Sequence, residues 1–399
     1  MTSPKFVSLF SGCGGFDLGF AQAGFEPVAA YDFWPAAVEN YRRNIGGHTE
    51  VRDLSAKKLV LDGTCDVLLS GSPCQGFSTV GRRDLDDPRN RLLGAAVSAA
   101  QQLKPKAVVI ENVPGVRFGA HKSYWITAIR GLEALGYAVQ EVSLQADEFG
   151  IPQARTRVML IATKGRIAPT LHFESRPKLM LGDALNDIKT AHNHNPRILS
   201  ADSSDGKISR RIAVGQKLCD VRGGASSIHT WSVPEVFGAT SAQERLVLEK
   251  ILVLRRRNRV RSFGDADPVA IALIANELSM QERVAESIVR TLEEKLYVRR
   301  PDGLVDLKRT FNGKYRRLDS ASPSPTVHTQ FGEPKYFLHP AEHRGYTVRE
   351  AARIQSFPDN YVFSGSVRDQ YKMIGNAVPP PLGFAVAMSL RNAISGWSR

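Results

Sequence analysis

The feature that most constrains the fold is a series of short apolar runs that alternate with helical segments through the first 165 residues. Each run has the length of a buried strand and ends in a polar or glycine-containing loop. The runs cover residues 6–10, 27–31, 67–69, 105–110 and 158–162. This alternation predicts an α/β fold with a doubly wound, Rossmann-like sheet. Because such sheets bind ligands at the carboxyl ends of their strands, the loops after the runs are the candidate site.

The first apolar run leads into a glycine-rich turn, Ser11-Gly-Cys-Gly-Gly15, and then into a short helix. A strand, a glycine turn and a helix in this order bring a ligand close to backbone N–H groups. The next strand ends in Asp32, and an acid at about this offset commonly binds ribose hydroxyls. The glycines lack the G-x-G-x-x-G spacing of dinucleotide sites. These features together favour a cofactor that contains adenosine.

The third run is followed by Cys74, which lies between Pro73 and Gln75. A single cysteine is more often a small buried hydrophobe than a nucleophile. Here the surrounding loop is polar and turn-like, and Pro73 restricts its backbone. The loop therefore predicts a nucleophilic thiol at the same sheet edge as the glycine-rich turn.

The next two apolar runs each have charged residues at one end. Glu111 comes directly after residues 105–110, where it is either a solvated loop residue or an acid at the shared sheet edge. Arg155 and Arg157 alternate at the start of the following run, so we expect them on one face of a strand. They are either surface charges or a pair that clamps a phosphate or a carboxylate.

The composition excludes several classes of protein. The four cysteines show no paired spacing, which argues against a disulfide framework and against a zinc site, so we expect no metal. The start of the chain lacks signal-peptide organisation and no apolar run approaches a membrane span, so we expect a cytoplasmic protein. The formal charge of +13 favours a polyanionic partner, most often nucleic acid, although a merely soluble basic protein has the same balance.

The length of 399 residues favours two domains, and the strand–helix alternation ends near residue 165. We expect a catalytic and cofactor-binding domain of residues 1–165 plus 335–399. A smaller domain with a hinge would then be inserted over residues 166–334. From residue 337 the sheet-type organisation returns.

Three segments of the insert carry patterns of their own. A helix over residues 268–278, a Ser279–Glu282 capping box and the hairpin signature Pro301-Asp-Gly303 predict a winged-helix-like part over about 268–310, rather than an arbitrary helical insertion. The arginine-rich run 255–261 is either a solvated face or a phosphate-contacting surface. The His/Asn-rich stretch 191–196 is interpreted as a plain loop and not as part of a metal-dependent nuclease.

Six short motifs occur in order along the chain: Phe10-Ser-Gly-Cys-Gly-Gly15, Pro73-Cys-Gln75, Glu111-Asn-Val113, Gln153-Ala-Arg-Thr-Arg157, Arg317-Leu-Asp with Pro325-Thr, and Gly375-Asn-Ala-Val-Pro379. They resemble the ordered motifs of DNA cytosine-5 methyltransferases, and most closely those of the bacterial restriction–modification type. The resemblance covers about residues 1–165 and 314–390. Residues between them would be the variable target-recognition region.

The resemblance implies S-adenosylmethionine as the cofactor and S-adenosylhomocysteine as its product. Asp32 would bind the ribose hydroxyls, and Phe33 would stack near the adenine. The other residues that it implies around the cofactor are Phe10, Gly12, Gly14, Asp53, Leu54, Pro73, Leu92, Asn376 and Val378. The catalytic residues that it implies are Cys74 as nucleophile, Glu111 as the acid at N3 of the base, and Arg155 with Arg157 to orient the base carbonyl and Glu111.

The partner that the resemblance implies is double-stranded DNA with the target cytosine flipped out of the duplex. We expect the protein to be a monomer. The restriction–modification type also implies a possible cognate restriction endonuclease, encoded alongside the methyltransferase. Two alternatives are an RNA (tRNA) cytosine-5 methyltransferase of the same fold and a non-enzymatic DNA-binding regulator. The long basic insert favours DNA over RNA, and a regulator leaves the Pro-Cys-Gln, Glu-Asn-Val and Arg-Thr-Arg motifs unexplained.

Overall fold

The computed structural model of the protein describes residues 3–55, 61, 63–73, 92–119, 122–188, 191–260 and 266–394. Contacts between Cα atoms divide the chain into two compact units. Unit 1 comprises Met1–Asn195, Ser320–Gln330 and Thr347–Arg399, and unit 2 comprises Pro196–Asp319 and Phe331–Tyr346. These bounds differ from the domains expected above, because residues 166–195 and 320–330 pack with unit 1 and residues 335–346 pack with unit 2.

Helices and strands are numbered in chain order over the described residues. The α-helices are α1 (Gly15–Gln22), α2 (Pro35–Asn44), α3 (Leu93–Leu103), α4 (Lys122–Ala134), α5 (Leu181–Leu185), α6 (Ser204–Arg211), α7 (Pro234–Phe237), α8 (Ala242–Arg257), α9 (Ile271–Glu277), α10 (Glu282–Glu294), α11 (Val348–Ile354), α12 (Val367–Asn376) and α13 (Pro380–Ala393). The strands are β1 (Lys5–Leu9), β2 (Glu26–Asp32), β3 (His48–Val51), β4 (Val67–Ser70), β5 (Ala107–Asn112), β6 (Tyr137–Gln145), β7 (Gln153–Ala154), β8 (Thr156–Lys164), β9 (Lys217–Cys219), β10 (Ser227–Ile228), β11 (Val298–Arg299), β12 (Asp306–Leu307), β13 (Asn312–Lys314), β14 (Arg316–Arg317), β15 (Ser324–Pro325) and β16 (Phe337–Leu338).

Unit 1 is built on a seven-stranded sheet in the order β3-β2-β1-β4-β5-β8-β6. The first five strands pair in parallel, and β8 pairs antiparallel with both β5 and β6. The predicted doubly wound α/β sheet is therefore confirmed, with β8 running opposite to both of its neighbours, β5 and the edge strand β6. The chain leaves β1 toward β2 and later returns to β4 on the other side of β1. This reversal makes the gap between β1 and β4 the topological switch point of the sheet.

Both faces of the sheet are covered because alternate residues of each strand point to opposite sides. On β1, Val7 and Leu9 pack into one core with the alanine-rich face of α3 and with Trp125 of α4. Phe6 points to the other face, into a core that α1 and α13 complete. Fully buried parallel strands read as continuous apolar runs, which is why the sequence marks them so clearly.

The C-terminal helices α12 and α13 lie in unit 1 with the sheet. The segment Val367–Ala393 is the one stretch of the described residues that is long and apolar enough to cross a membrane by length and composition. This finding corrects the expectation that no such run exists. The stretch is divided at Ala377–Pro379 into two helices, and 67% of its most apolar window is buried inside the protein. We therefore describe α12 and α13 as core helices.

Unit 2 contains a core formed by α8, α9, α10 and the antiparallel pair β11–β12. An isolated antiparallel bridge joins Val269, just before α9, to Val305, just before β12. The order of elements is that of a winged helix: α8, the bridge at Val269, α9, α10 and the β11–β12 hairpin. In this arrangement α8 is the first helix. The second core of the unit packs Ile208 and Ile212 around Leu218 and Tyr315.

One local sequence prediction is wrong, and another gains a structural detail. Ser279 does not cap α10, because its backbone is left-handed with φ of 50° and Gln281 is the residue before the helix. The loop over residues 191–196 does have a structural task in unit 1. The Asn193 amide donates to the carbonyl of Phe363 at 2.8 Å and accepts from its N–H at 3.0 Å, so the loop holds the C-terminal segment.

Candidate active site

A cavity of about 390 Å³ lies at the switch point of the sheet, and its walls belong to unit 1. The turn after β1 and the first residues after β4 form two of these walls. The end of β5, the region around β8 and the end of α12 form the others. The site therefore occurs where open α/β sheets place their ligands.

The glycine-rich turn after β1 has an unusual backbone. Phe10 has φ of 53°, which is strained for an aromatic residue, and Gly12 and Gly14 have φ of 55° and 87°. Glycine adopts these φ values without strain because it has no Cβ. At Gly12 the backbone conformation alone favours glycine, since a Cβ there would meet nothing within 4 Å. A Cβ on Gly14 would lie 2.7 Å from the ring of Tyr41, so Gly14 permits close packing of the turn against α2.

Asp32 connects this turn to the end of β2. Its two carboxylate oxygens accept hydrogen bonds from the N–H of Gly12 and the N–H of Trp34, each at 2.9 Å. Burial raises the pKa of Asp32, whereas these two N–H donors and the charge of Lys372 oppose the shift. The Lys372 ammonium lies 4.1 Å from the centre of the Trp34 ring. The carboxylate is thus held in one orientation at the cavity wall.

Phe33, the next residue, is 62% exposed although it lines the cavity. An exposed aromatic ring beside a fixed carboxylate suits a nucleoside, since the ring offers a stacking face and the carboxylate accepts from ribose hydroxyls. This pair is the feature of the cavity that fits an adenosine-containing cofactor.

Cys74 itself lies outside the described residues, but the two residues before it line the cavity. The Ser70 and Ser72 hydroxyls lie 2.9 Å apart, and the Asn112 amide donates to the carbonyl of Ser72 at 3.4 Å. Pro73 borders the same cavity as Glu111. The end of β4 and the end of β5 are therefore joined directly before the predicted nucleophile.

Glu111 is paired with Arg157 at this edge. Arg157 Nε lies 2.7 Å from Glu111 Oε1, and both residues are about 8% exposed. Burial raises the pKa of Glu111, and the guanidinium groups of Arg157 and Arg155 oppose the shift. The pairing follows from strand direction: because β8 runs antiparallel to β5, its first residues lie beside the carboxyl end of β5.

Arg155 has a different set of contacts. Its guanidinium donates to the carbonyls of Val327 at 3.2 Å and Ala377 at 2.9 Å. Gln153 adds a second connection: its side chain accepts from the N–H of Val327 at 2.9 Å and donates to Gln355 Oε1 at 2.7 Å. Arg155 and Gln153 therefore join the segment around β7 to two later segments of unit 1.

The remaining predicted residues divide into two groups. Asn376 and Val378 line the cavity. Four predicted cofactor residues are absent from its described lining, namely Gly14, Asp53, Leu54 and Leu92. Asp53 is exposed, and hydrogen bonds from Ser55 lower its pKa. Leu54 is part of the core.

The polar residues of the cavity lining that sequence reasoning missed include Ser8, Asp17 and Lys372. Ser8 interrupts the apolar residues of β1, which is a signal that could have marked it. Asp17 in the first turn of α1 looks like an ordinary helix-start acid. Lys372 precedes the Gly375-Asn-Ala-Val motif by one helical turn, and nothing nearby in sequence links it to Asp32.

The arginine-rich run at the end of α8 is partly used inside unit 2. Arg255 is 5% exposed, and its Nε lies 2.6 Å from Asp306 Oδ1. Arg257 pairs with Glu277 of α9. Arg300, next to the hairpin, pairs with Glu286 of α10 at 2.6 Å. Arg255 therefore stabilises unit 2 from within, whereas Arg256, Arg257 and Arg259 of the run are exposed, so the phosphate-contacting surface stays a prediction for those three.

Comparison with known proteins agrees with this geometry. A family model described as C-5 cytosine-specific DNA methylase matches residues 4–392. Among curated relatives, the chain is 32% identical to the type II methyltransferase M.AgeI of Thalassovita gelatinovora, over 98% of this chain and the full length of the relative. It is 29% identical to the type II methyltransferase M.XorII of Xanthomonas oryzae pv. oryzae, over 99% of this chain and 86% of the relative.

Solved structures share the fold at lower identity. One, described as a DNA modification methyltransferase encoded within a prophage of E. coli, superposes with a TM-score of 0.59 at 23% identity, covering 98% of this chain and 99% of the other. The methyltransferase EhMeth of Entamoeba histolytica gives 0.54 at 12% identity, with coverage of 98% and 99%. These structures support the fold, and the family match extends over nearly the whole chain. The chain belongs to the C-5 cytosine-specific DNA methylase family.

Proposed function

We propose that this DNA cytosine-5 methyltransferase acts on one specific double-stranded sequence, as the modification enzyme of a type II restriction–modification system. The type II names of its relatives support this role. The observation that carries the chemistry is the buried Glu111–Arg157 pair, which borders the same cavity as Pro73, the residue before Cys74. The proposed location is the cytoplasm, where the DNA lies, and the proposed active form is a monomer.

The cofactor in this proposal is S-adenosylmethionine, whose sulfonium supplies an electrophilic methyl group. Asp32 would accept from the ribose hydroxyls, and Phe33 would cover the adenine. The exposed ring of Phe33 beside the fixed carboxylate supports this fit. The other residues proposed to hold the cofactor are Phe10, Gly12, Pro73, Asn376 and Val378. Gly14, Asp53, Leu54 and Leu92 remain proposed cofactor-binding residues, although they are absent from the described lining of the cavity.

Cys74 is the proposed nucleophile. Carbon 5 of cytosine is too poor a nucleophile to take a methyl group directly, so covalent catalysis is needed. The Cys74 thiolate adds to carbon 6 and forms an S–C6 bond, which moves the electron pair of the C5–C6 double bond toward carbon 5. Carbon 5 would then take the methyl group, and the cofactor sulfur would keep the electron pair of the broken S–CH3 bond, which leaves S-adenosylhomocysteine. A base removes the proton from carbon 5, the S–C6 bond breaks, and the thiolate is released.

Glu111 is the proposed acid at N3 of the base. As Cys74 attacks, negative charge develops on the ring, and a carboxyl group that donates at N3 offsets it. The upward shift of the Glu111 pKa by burial supports this role, because it favours the protonated form. Arg157 would orient Glu111 and the base carbonyl. Arg155 would keep β7 and the C-terminal segment together around the base.

The target cytosine must leave the duplex for this reaction, at a cost of a few kcal/mol. Unit 2 is the proposed source of compensating DNA contacts, since a basic protein gains binding energy from phosphates. A cognate restriction endonuclease would cleave the same DNA sequence. The proposal includes no direct contact between the endonuclease and this protein.

The test begins with bisulfite sequencing of DNA from cells that express the chain, which reports the modified base and its sequence context. Duplexes of that sequence with 5-fluorocytosine at the target are then incubated with protein and S-adenosylmethionine. We expect a covalent complex, because fluorine at carbon 5 prevents the final elimination. Cys74→Ser should form no complex and transfer no methyl groups, yet bind the duplex within about threefold of wild type.

Absence of a covalent complex with active wild-type protein would contradict the Cys74 mechanism. Methyl transfer to tRNA, with none to any duplex DNA, would instead favour the RNA-modifying alternative.

A further inference from the structure

Asp17 is a buried acid in the wall of the cavity with no role in the chemistry described above. It is the third residue of α1 and is 1% exposed. Its Oδ1 accepts a hydrogen bond from the Tyr41 hydroxyl at 3.0 Å. Its Oδ2 has no hydrogen-bond partner among the residues that the structure describes. An unsatisfied carboxylate oxygen at the wall of a cavity is costly unless a ligand completes it.

The groups around Asp17 do not supply a counter-charge. Within the described part of the chain, the titratable or hydroxyl groups that face it are Ser8 of β1, Cys13 of the turn, Asp32 of β2, Tyr41 of α2 and Tyr361 of the C-terminal segment. None of them is a cation. Burial accordingly raises the pKa of Asp17 to about 7, while the nearby hydroxyl groups of Ser8 and Tyr41 oppose the shift.

The other acids of the cavity differ from Asp17 in this respect. Glu111 pairs with Arg157 at 2.7 Å. Asp32 accepts from two backbone N–H groups and is influenced by the charge of Lys372. Asp17, in contrast, has one carboxylate oxygen without a hydrogen-bond partner among the described residues, and the groups that face it include no cation. A cationic ligand that also donates hydrogen bonds would complete it.

S-Adenosylmethionine carries two cationic centres, and only one of them suits Asp17. The sulfonium has no hydrogen to donate, whereas the α-ammonium has three N–H donors. We infer that Asp17 is a cofactor-binding residue whose carboxylate accepts a hydrogen bond from the α-ammonium of the cofactor. This inference rests on the proposed use of S-adenosylmethionine. Asp32 would then recognise the ribose, and Asp17 the amino-acid part.

The test compares two ligands that share the adenosine part. S-Adenosylhomocysteine has the amino-acid part with its ammonium, and 5′-methylthioadenosine lacks it. We expect Asp17→Asn to weaken S-adenosylhomocysteine binding by about 10- to 100-fold, the usual loss for a charged hydrogen bond. Binding of 5′-methylthioadenosine should change by less than about twofold. Isothermal titration calorimetry on the full-length protein measures both affinities without methyl transfer.

Asp32→Asn is the matched control, because both ligands contain the ribose that Asp32 is proposed to bind. We expect this variant to weaken both ligands by similar factors. An equal loss for both ligands in Asp17→Asn, or no loss for either, would overturn the inference, because a purely structural role cannot distinguish them. If wild-type protein bound neither ligand, the proposed cofactor would be wrong instead.

A second measurement needs no variant, so it holds even if Asp17→Asn fails to fold. An ammonium favours the ionised form of Asp17, so binding must displace the proton that Asp17 holds below its raised pKa. The affinity for S-adenosylhomocysteine should therefore rise by about tenfold from about pH 5.5 to about pH 7.5, measured relative to 5′-methylthioadenosine. Because Asp32 faces both ligands alike, its titration cancels in that ratio. A ratio that does not change with pH would contradict the inference.

Discussion

Glu111 and Arg157 illustrate how a single side chain changes the chemistry of another. Burial in the cavity wall raises the pKa of Glu111, and the guanidinium 2.7 Å away opposes the shift. The protein thus balances a large desolvation effect against a direct charge contact. Arg155, two residues earlier, contributes from a distance, while its own hydrogen bonds are directed to backbone carbonyls. Of the two arginines, Arg157 is the one in contact with the candidate acid.

Replacing Glu111 with glutamine tests its role as an acid. We expect Glu111→Gln to lower the rate of methyl transfer by about 10²- to 10⁴-fold, because the amide cannot transfer a proton to the ring. DNA binding should be retained. In the wild type, the carboxyl loses its proton as pH rises through the raised pKa, so the rate profile should contain a limb that falls with pH. The variant should lack that limb.

Glu133→Gln on α4 is a suitable control, since this glutamate is exposed and lies outside the cavity lining. Rates from single-turnover methyl transfer across the pH range would supply the comparison. If Glu111→Gln kept both the wild-type rate and the falling limb, Glu111 would have no acid role.

At the scale of elements, the packing of α1 against α13 depends on two glycines. A Cβ on Gly19 of α1 would lie 2.2 Å from the carbonyl oxygen of Pro380 and 2.4 Å from the N of Phe384. A Cβ on Gly383 of α13 would lie 2.4 Å from the carbonyl oxygen of Phe16. The backbones of the two helices therefore approach each other closely, and both helices cover one face of the sheet below the cavity.

Gly19→Ala should therefore destabilise the protein, against the usual effect of alanine in a helix. Alanine is the better helix former by about 1 kcal/mol, but the backbone atoms of α13 cannot move aside cheaply. We expect a net decrease of about 1–3 kcal/mol in the free energy of unfolding, measured by urea denaturation.

Gly94→Ala on α3 provides the contrast, because a Cβ there meets nothing within 4 Å. This variant should be as stable as wild type or up to about 1 kcal/mol more stable. A Gly19→Ala protein with wild-type stability would show that α1 and α13 can separate without cost.

At the scale of the whole molecule, the net charge predicts that the binding of DNA and the binding of the cofactor product respond differently to salt. The chain has 53 basic and 40 acidic side chains, which gives the formal charge of +13. Binding to DNA releases counterions, so the logarithm of its affinity should fall linearly with the logarithm of the salt concentration, with a slope of about −0.9 per phosphate contacted. Binding of S-adenosylhomocysteine in the cavity of unit 1 should change little over the same range, because a nucleoside makes few contacts with distant surface charges.

Fluorescence anisotropy with a labelled duplex and calorimetry with the nucleoside would provide the two slopes. A DNA affinity that does not respond to salt would argue against phosphate contacts as the main source of binding. In unit 2, the ion pairs of Arg255, Arg257 and Arg300 restrict which arginines can supply such contacts.

The sequence by itself determined the α/β fold, the family and the main positions around the cavity. The strands of the sheet are visible because strands buried on both faces are apolar throughout. Phe10, Gly12, Asp32, Pro73 and Glu111 could be identified because each stands at the end of such a strand. Local spacing carries this information, since each residue is close in sequence to the element that positions it.

Tertiary structure decided the features that depend on segments far apart in sequence. Strand direction cannot be read from an apolar run, and only the antiparallel pairing of β8 with β5 brings Arg157 to Glu111. Lys372 reaches Asp32 from a helix 340 residues later (372 minus 32). Asp17 resembles an ordinary helix-start acid until burial removes water and cations from around it. Solvent exclusion is a property of the packed fold, so the chemistry of these residues appears only when the chain is folded.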